Sequence, residues 1–315
     1  MRAITEYVFE NSALKHLVER PGGLQPVLDA ATAKKSALLI PGMTVGEFLN
    51  NRNPRKTLER LQALICLSQH DGYSGFSADP RKMLELDAKG DLEGTPLLTK
   101  ESISRSSLEK SIANPEDPQG YLSKVRGTMS AWKRGNTFSP EKRESAVDHW
   151  LSAQFPGPKP WSLSQKREFL WHTLANISPE TLSPTAFQGF LREFKLPDKE
   201  LSACLEQNGR FKAIKTLVGL DHLRVIGLLL SAGGKDPEGF EELTKSHGYL
   251  KPDKNDFTDA TVAMSAAYAH YLVTEDEALC ERCLFLGSKA CVSFRAILLE
   301  EFYELLGLDK KDPAR

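Results

Sequence analysis

Apolar positions recur along this chain in two rhythms, and the changes between them mark three stretches. AITEYVF, near the start, mixes β-branched and aromatic residues in alternation, which predicts a strand. NSALKHLVER follows with Leu14, Leu17 and Val18 at helical spacing, and Pro21-Gly22-Gly23 stops it. ALLIPGM is a short apolar run that fits a buried strand, with Thr44 or Gly46 opening the next helix, EFLNN. A further helix is predicted over roughly 54–69, where Leu58, Leu61, Ala63, Leu64, Ile65 and Leu67 take packing positions.

From His70 the pattern breaks into turn signals such as HDGYSG, KGDLEG and NPEDPQG. Beyond residue 140 it becomes helical, and Ser139-Pro140 and Ser183-Pro184 supply N-cap and first-turn proline signals. Trp132, Trp150, Trp161 and Trp171 all fall in this middle stretch, which predicts a local aromatic core. The last hundred residues return to alternating elements. LVGLDHLRVIGLLLSAGG and PEGFEELTKSHGY read as helices, and TDATVAMSAAYAHY as a third with small residues on a packed face. YLVT reads as a strand, EDEALCERCLFLGSK as a helix or turn, CVSF as a strand and AILLEEFYELLGL as the final helix. Strands separated by helices imply a parallel α/β sheet, whose working site lies at the carboxyl ends of its strands.

Composition narrows the function classes. The chain has 315 residues, 40% hydrophobic and 26% charged, enough for a real core. Its 41 basic and 42 acidic residues leave a net charge of −1, which excludes a globally basic nucleic-acid binder. The acidic excess is C-terminal: residues 215–315 carry 12 basic and 17 acidic groups. The first residues lack a signal-peptide pattern, and no apolar run approaches the ~20 residues of a membrane span. Five cysteines do not suggest a secreted disulfide scaffold. A cytoplasmic protein without a membrane partner is the expectation.

Four acids stand at element ends. Glu10 directly follows the first strand, Glu47 opens the helix after the second, Asp259 begins the small-residue helix and Asp276 lies just past YLVT. Such positions gather at one edge of an α/β sheet. Clustered carboxylates repel unless a cation sits among them, and oxygen-only ligands select Mg²⁺ or Mn²⁺. Taken singly, each acid also fits an ordinary capping role.

YVF-Glu10-Asn11-Ser12-Ala13-Leu14 resembles the opening of PIN-domain nucleases. Asp259-Ala-Thr-Val-Ala-Met-Ser-Ala-Ala…Tyr271-Leu-Val-Thr274-Glu-Asp276 is similar to that family's closing signature, and Val45-Gly46-Glu47-Phe48-Leu49 to its glutamate-bearing helix. The resemblance implies a three-layer α/β/α domain with a mainly parallel sheet, built from 1–70 and 215–315. A mostly helical lobe, 71–214, would be inserted between them. It implies a divalent-metal-dependent endoribonuclease, of a family common in bacterial toxin–antitoxin pairs. Glu10, Glu47, Asp259 and Asp276 would hold Mg²⁺ or Mn²⁺, Thr274 would orient a ligand or the attacking water, and Ser12 would support the first carboxylate. The family usually has Asp where Glu10 stands, so Glu10 is expected to be the least well placed and Asp259 and Asp276 the closest pair. A degenerate PIN-like binding module, with the insertion engaging a protein partner, is the alternative.

Other groups carry less. Lys34-Lys35 and Arg52, Arg55, Lys56 and Arg60 form the basic stretch near Glu47, which fits either a phosphate backbone or a solvated helix face. Cys280, Cys283 and Cys291 read as buried thiols, with structural zinc as the alternative. His149 and His172 read as surface or packed residues, and Asp221-His222 lacks a nucleophile motif beside it. Asp256 is either a substitute metal ligand or a helix cap.

Overall fold

The structure, a computed structural model, describes residues 4–20, 22–51, 53–69, 74–76, 87, 165, 172, 174–178, 212–232, 247–251, 253 and 256–308. Five parallel strands form one sheet: β1 (Thr5–Phe9), β2 (Ser36–Ile40), β3 (Ser74–Phe76), β4 (Tyr271–Thr274) and β5 (Arg295–Leu298). Their order is β3-β2-β1-β4-β5. The segments AITEYVF and YLVT, both predicted as strands, are therefore neighbours, with Val8 opposite Leu272. Between the strands lie α1 (Asn11–Val18), α2 (Gln25–Ala33), α3 (Gly42–Leu49) and α4 (Pro54–Gln69), then α5 (Lys212–Ala232), α6 (Asp256–Ser265), α7 (Glu277–Ser288) and finally α8 (Leu299–Leu306).

Strand residues alternate between two cores. Val8, Ala37, Leu39, Leu272 and Ala296 join a cluster with α5, α6 and α7. Tyr7, Phe9, Leu38, Ile40, Val273 and Ile297 join another with α1, α2, α3, α4 and α8. A strand buried on both faces must be apolar throughout, which is why SALLI reads as an unbroken run. Right-handed crossovers explain the partition: β1 to β2 and β4 to β5 run in opposite directions across the sheet, so α1 and α2 fall on one face and α7 on the other. Phe302 closes the second core, edge-on to both Tyr7 and Phe9 with ring centroids 5.0 Å apart. Each fully buried side chain of this kind contributes about 1.5–3 kcal/mol.

Three expected boundaries move. CVSF is not a strand: β5 begins at Arg295, and the final helix begins at Leu299 rather than Ala296. The run from Val292 to Leu299 is apolar enough that periodicity alone cannot divide a buried strand from a buried helix. The helix after β2 opens at Gly42, immediately behind Pro41, whose fixed φ of −64° already suits the N-cap. The small-residue helix stops at Ser265 and reaches β4 through turns at Ala266, Ala267 and Ala269.

Most of 71–214, with all four tryptophans and His149, lies outside the described residues. Parts of that stretch nevertheless join the main fold: β3, expected to fall outside the sheet, is its edge strand beside β2, and α5 begins at Lys212 with Ala213 and Ile214 in the core. Leu174 and Ile177 are buried in the α5–α7 core. Asp87, 1% exposed, accepts hydrogen bonds from the Ile214 amide at the start of α5 and from the Tyr268 hydroxyl. It is thus a helix cap supplied from 127 residues away. Among the described residues, no helix is long and apolar enough to cross a membrane.

Candidate functional site

Strand order fixes where a crevice can open. The chain builds the sheet outward from β1 in one direction and from β4 in the other, so the order reverses between these two strands. Ligand sites of open α/β sheets lie outside the carboxyl ends of the strands at such a point. Glu10 is the first residue after β1, and Glu275 and Asp276 follow β4.

Glu10 is 6% exposed and serves as N-cap of α1, its carboxylate accepting from the Ser12 amide at 2.8 Å. The Ser12 hydroxyl donates to the same oxygen, Oε2, and so does the Thr274 hydroxyl at 3.3 Å. Thr274 Oγ1 in turn accepts from the Asp276 amide at 2.9 Å, and Ser12 Oγ from the Glu275 amide at 3.1 Å. Two short hydroxyl side chains thus lock the end of β1 to the end of β4. Asp276 caps α7 through Oδ1, which accepts from the Leu279 amide at 2.9 Å. Thr44, fully buried, donates to the Phe9 carbonyl at 3.0 Å and ties α3 to the tip of β1, one helical turn ahead of Glu47.

Asp259 lies in the first turn of α6 and is 8% exposed. Burial holds its carboxyl well above the usual range, and the charges of Glu10, Asp276, Glu47 and Asp256, in that order, push it further up. The four predicted acids therefore converge on one region. Glu10 is also raised, first by burial and to a lesser degree by Glu47, while its bonds from Ser12 and Thr274 pull the other way. Glu10, expected to be the least well placed of the four, heads the charges that raise Asp259. The hydroxyl clamp of Ser12 and Thr274 absorbs the extra methylene and holds the longer side chain in place.

Asp256 meets the capping expectation in part: it opens α6, and its carboxylate accepts from the Asp253 amide at 2.9 Å, a bond of the capping-box kind. It forms a buried ion pair with Arg282, which also donates to the Tyr249 carbonyl at 2.5 Å and the Lys251 carbonyl at 2.9 Å. Among the described residues, no Lys or Arg is ion-paired with Glu10, Asp259 or Asp276. Nor, among those residues, are any three His, Cys, Asp or Glu side chains spaced to hold one metal ion as they stand. The donor set is all oxygen and suits a hard cation, but the acids enclose a region rather than a single point.

The basic stretch divides. Arg55 is exposed and pairs with Glu59 at 3.2 Å, Lys56 is exposed beside it, and Arg52 lies outside the described residues. Arg60 is buried, donating to the Phe48 carbonyl and to Glu19, so it secures the end of α3 and is no phosphate contact. Cys280, Cys283 and Cys291 are buried thiols outside any disulfide, and burial pushes Cys280 up to about 11, far from thiolate chemistry. His270 accepts from the Glu6 amide through Nδ1. His222 is buried with Nδ1 at the Val218 carbonyl, while Asp221 pairs with Arg224, so these neighbours do not form an acid–base dyad. His172 is exposed.

Sequence reasoning missed Arg282 and Asp87. Arg282 had a signal: a cation between two cysteines in an otherwise apolar helix face needs a buried partner. Asp87 had none, because both its partners are remote in sequence. Comparison with known protein families, characterised proteins and solved structures finds no match to this chain.

Proposed function

We propose that the chain is a divalent-metal-dependent endoribonuclease of PIN-like type, a three-layer α/β/α domain with the 71–214 insertion serving substrate or partner recognition. The observation that carries this reading is the mutual electrostatic pressure of Glu10, Glu47 and Asp276 on Asp259 at the switch point between β1 and β4. Glu10 and Asp259 are buried acids with raised carboxyls, an arrangement that a cation would relieve, and among the described residues the buried Arg282 is committed to Asp256. Mg²⁺ or Mn²⁺ bound there would supply a hydroxide nucleophile and counter-charge for a phosphoryl transition state.

The chain's own residues divide that work. The scaffold bonds described for Glu10 all fall on Oε2, and that of Asp276 falls on Oδ1. Each carboxylate is thereby fixed through one oxygen and can offer the other. Asp259 and Glu47 complete the donor set from α6 and α3. No three of the described acidic, His or Cys side chains are set to hold one ion as they stand, so the ion of this reading is one that keeps several waters and takes one or two carboxylates directly, the habit of Mg²⁺. Thr274 and Ser12 act as positioning residues, and Arg55 and Lys56 are the candidate contacts to an RNA backbone.

The same arrangement favours the second reading, a degenerate binding module whose acids have become caps. RNA cleavage by wild type, Asp259→Asn and Asp276→Asn with Mn²⁺, Mg²⁺ or chelator separates the two. The nuclease reading expects metal-dependent cleavage by wild type and its loss in both variants. Thermal melts of all three with and without Mn²⁺ that show identical shifts, together with no cleavage, would sink it.

A further inference from the structure

We propose that Arg282 is the positioning residue of the acidic site: through Asp256 it sets the first turn of α6 and so the place of Asp259. The inference rests on the metal-site reading above. Arg282 is 5% exposed on α7, and its guanidinium reaches three parts of the chain at once. Nε donates to the Tyr249 carbonyl, Nη2 to the Lys251 carbonyl and Nη1 to Asp256. Asp256, 4% exposed, is the first residue of α6, and its other oxygen accepts from the Asp253 amide at 2.9 Å. The segment that leads into α6 is thus pinned to α7 immediately before Asp259, which lies three residues on and faces the other acids. The same α7 is capped by Asp276. One planar, five-donor group therefore fixes the relative height of two of the four acids, a task lysine cannot match with a single ammonium.

The pair also reserves one carboxylate. With Asp256 neutralised internally, the acids that this reading leaves for a cation among the described residues are Glu10, Glu47, Asp259 and Asp276.

The test uses the full chain and measures Mn²⁺ affinity by calorimetry well below the melting temperature, with the metal-free melting temperature recorded separately. Arg282→Lys keeps the charge and loses the fork; Asp256→Asn keeps the shape and loses the charge. Both should bind Mn²⁺ about 10–100-fold more weakly, the usual effect of removing a residue that orients a ligand. Leu306→Ala, in the core on the opposite face, should melt lower with unchanged affinity. Should Arg282→Lys fail to fold, the near-isosteric Asp256→Asn carries the test. Wild-type affinity in both clasp variants overturns the positioning role and leaves the metal site standing. An absence of Mn²⁺ binding by wild type overturns the metal site itself, and this inference with it.

Discussion

Two buried aspartates, at opposite ends of the sheet, meet the same desolvation and resolve it differently. Asp87 adjoins Tyr268 in the turn before β4, at the amino ends of the strands, and is answered by donors: the Ile214 amide and the Tyr268 hydroxyl. Asp259 lies at the carboxyl ends, and after burial the strongest influences on it are other carboxylates. A buried acid surrounded by donors is architecture, since its neighbours favour the charge it carries. A buried acid surrounded by acids keeps an unfavourable arrangement that a proton or a bound cation relieves, a pattern common at functional sites. The Asp256–Arg282 pair is a third solution, internal neutralisation, and it lies within one helical turn of Asp259.

On the proposed nuclease reading, the largest expected difference between the two ends is catalytic. Asp259→Asn should lower metal-dependent RNA cleavage by about 10²-fold or more, the scale of losing one preorganised electrostatic group. Asp87→Asn should leave cleavage within about twofold of wild type, because Asp87 lies at the far end of the strands. Initial rates on one RNA at saturating Mn²⁺ check both, and equal losses would erase the distinction between architecture and site.

Stability should order the two ends the other way. Asp87→Ala strands the Ile214 amide and the Tyr268 hydroxyl, each costing about 1–3 kcal/mol when buried without a partner. A loss of about 2–5 kcal/mol in urea unfolding is expected. Asp259→Asn, which relieves repulsion from Glu10, Asp276 and Glu47, should not destabilise the metal-free protein and should raise its unfolding midpoint.

Acidity sharpens the contrast at Asp87. Burial raises its carboxyl to about 6 from an ordinary 3.8, against the opposing pull of Tyr268, Ile214, Ala213 and Lys215. Between those values the unfolded chain releases the proton while the folded chain keeps it, so the native state binds more protons and stability falls as pH rises. Below 3.8 the penalty is absent, and above about 6 it is complete at about 3 kcal/mol. Asp87→Asn removes the titration while its amide can still accept from Ile214 and donate to Tyr268. The stability difference between Asp87→Asn and wild type should therefore grow in favour of the variant from pH 4 to 7. His222, buried neutral and lowered from its ordinary 6.5, works in the opposite sense but cancels in this difference.

How much of this was visible beforehand follows the range of the interactions. YVF and YLVT were legible as strands because a parallel strand buried on both faces announces itself in four or five residues. Glu10, Glu47, Asp259 and Asp276 were legible as a group because element ends converge in such a sheet. The clamp that seats Glu10 joins Ser12 and Thr274 across more than 260 residues, and no local pattern encodes it. The division between β5 and α8 was lost in a continuous apolar run, and the role of Asp256 depended on Arg282, read with the thiols on either side of it.

The smallest effect isolates one bond at the architectural end. Tyr268→Phe deletes the hydroxyl that donates to Asp87 and leaves the ring, over which Lys212 Nζ sits 5.5 Å from the centroid. Burial and the Asp87 charge both push the Tyr268 phenol upward, so it remains a donor throughout the accessible pH range. A hydrogen bond to an ionised acceptor is worth about 1.5–3 kcal/mol, and one to a neutral group about 0.5–1.5. The Phe variant should therefore lose more stability at pH 7.5, where Asp87 is ionised, than at pH 4.5, where it is protonated. Because the hydroxyl favours the charged form, its removal should also carry the titration of Asp87 above 6, extending the window in which stability falls with pH. Denaturant unfolding of both proteins at the two pH values measures the four numbers needed. Equal losses at both would mean that the hydroxyl fills space rather than answering the charge, and Asp87 would then resemble Asp259 more closely than the two ends of the sheet suggest.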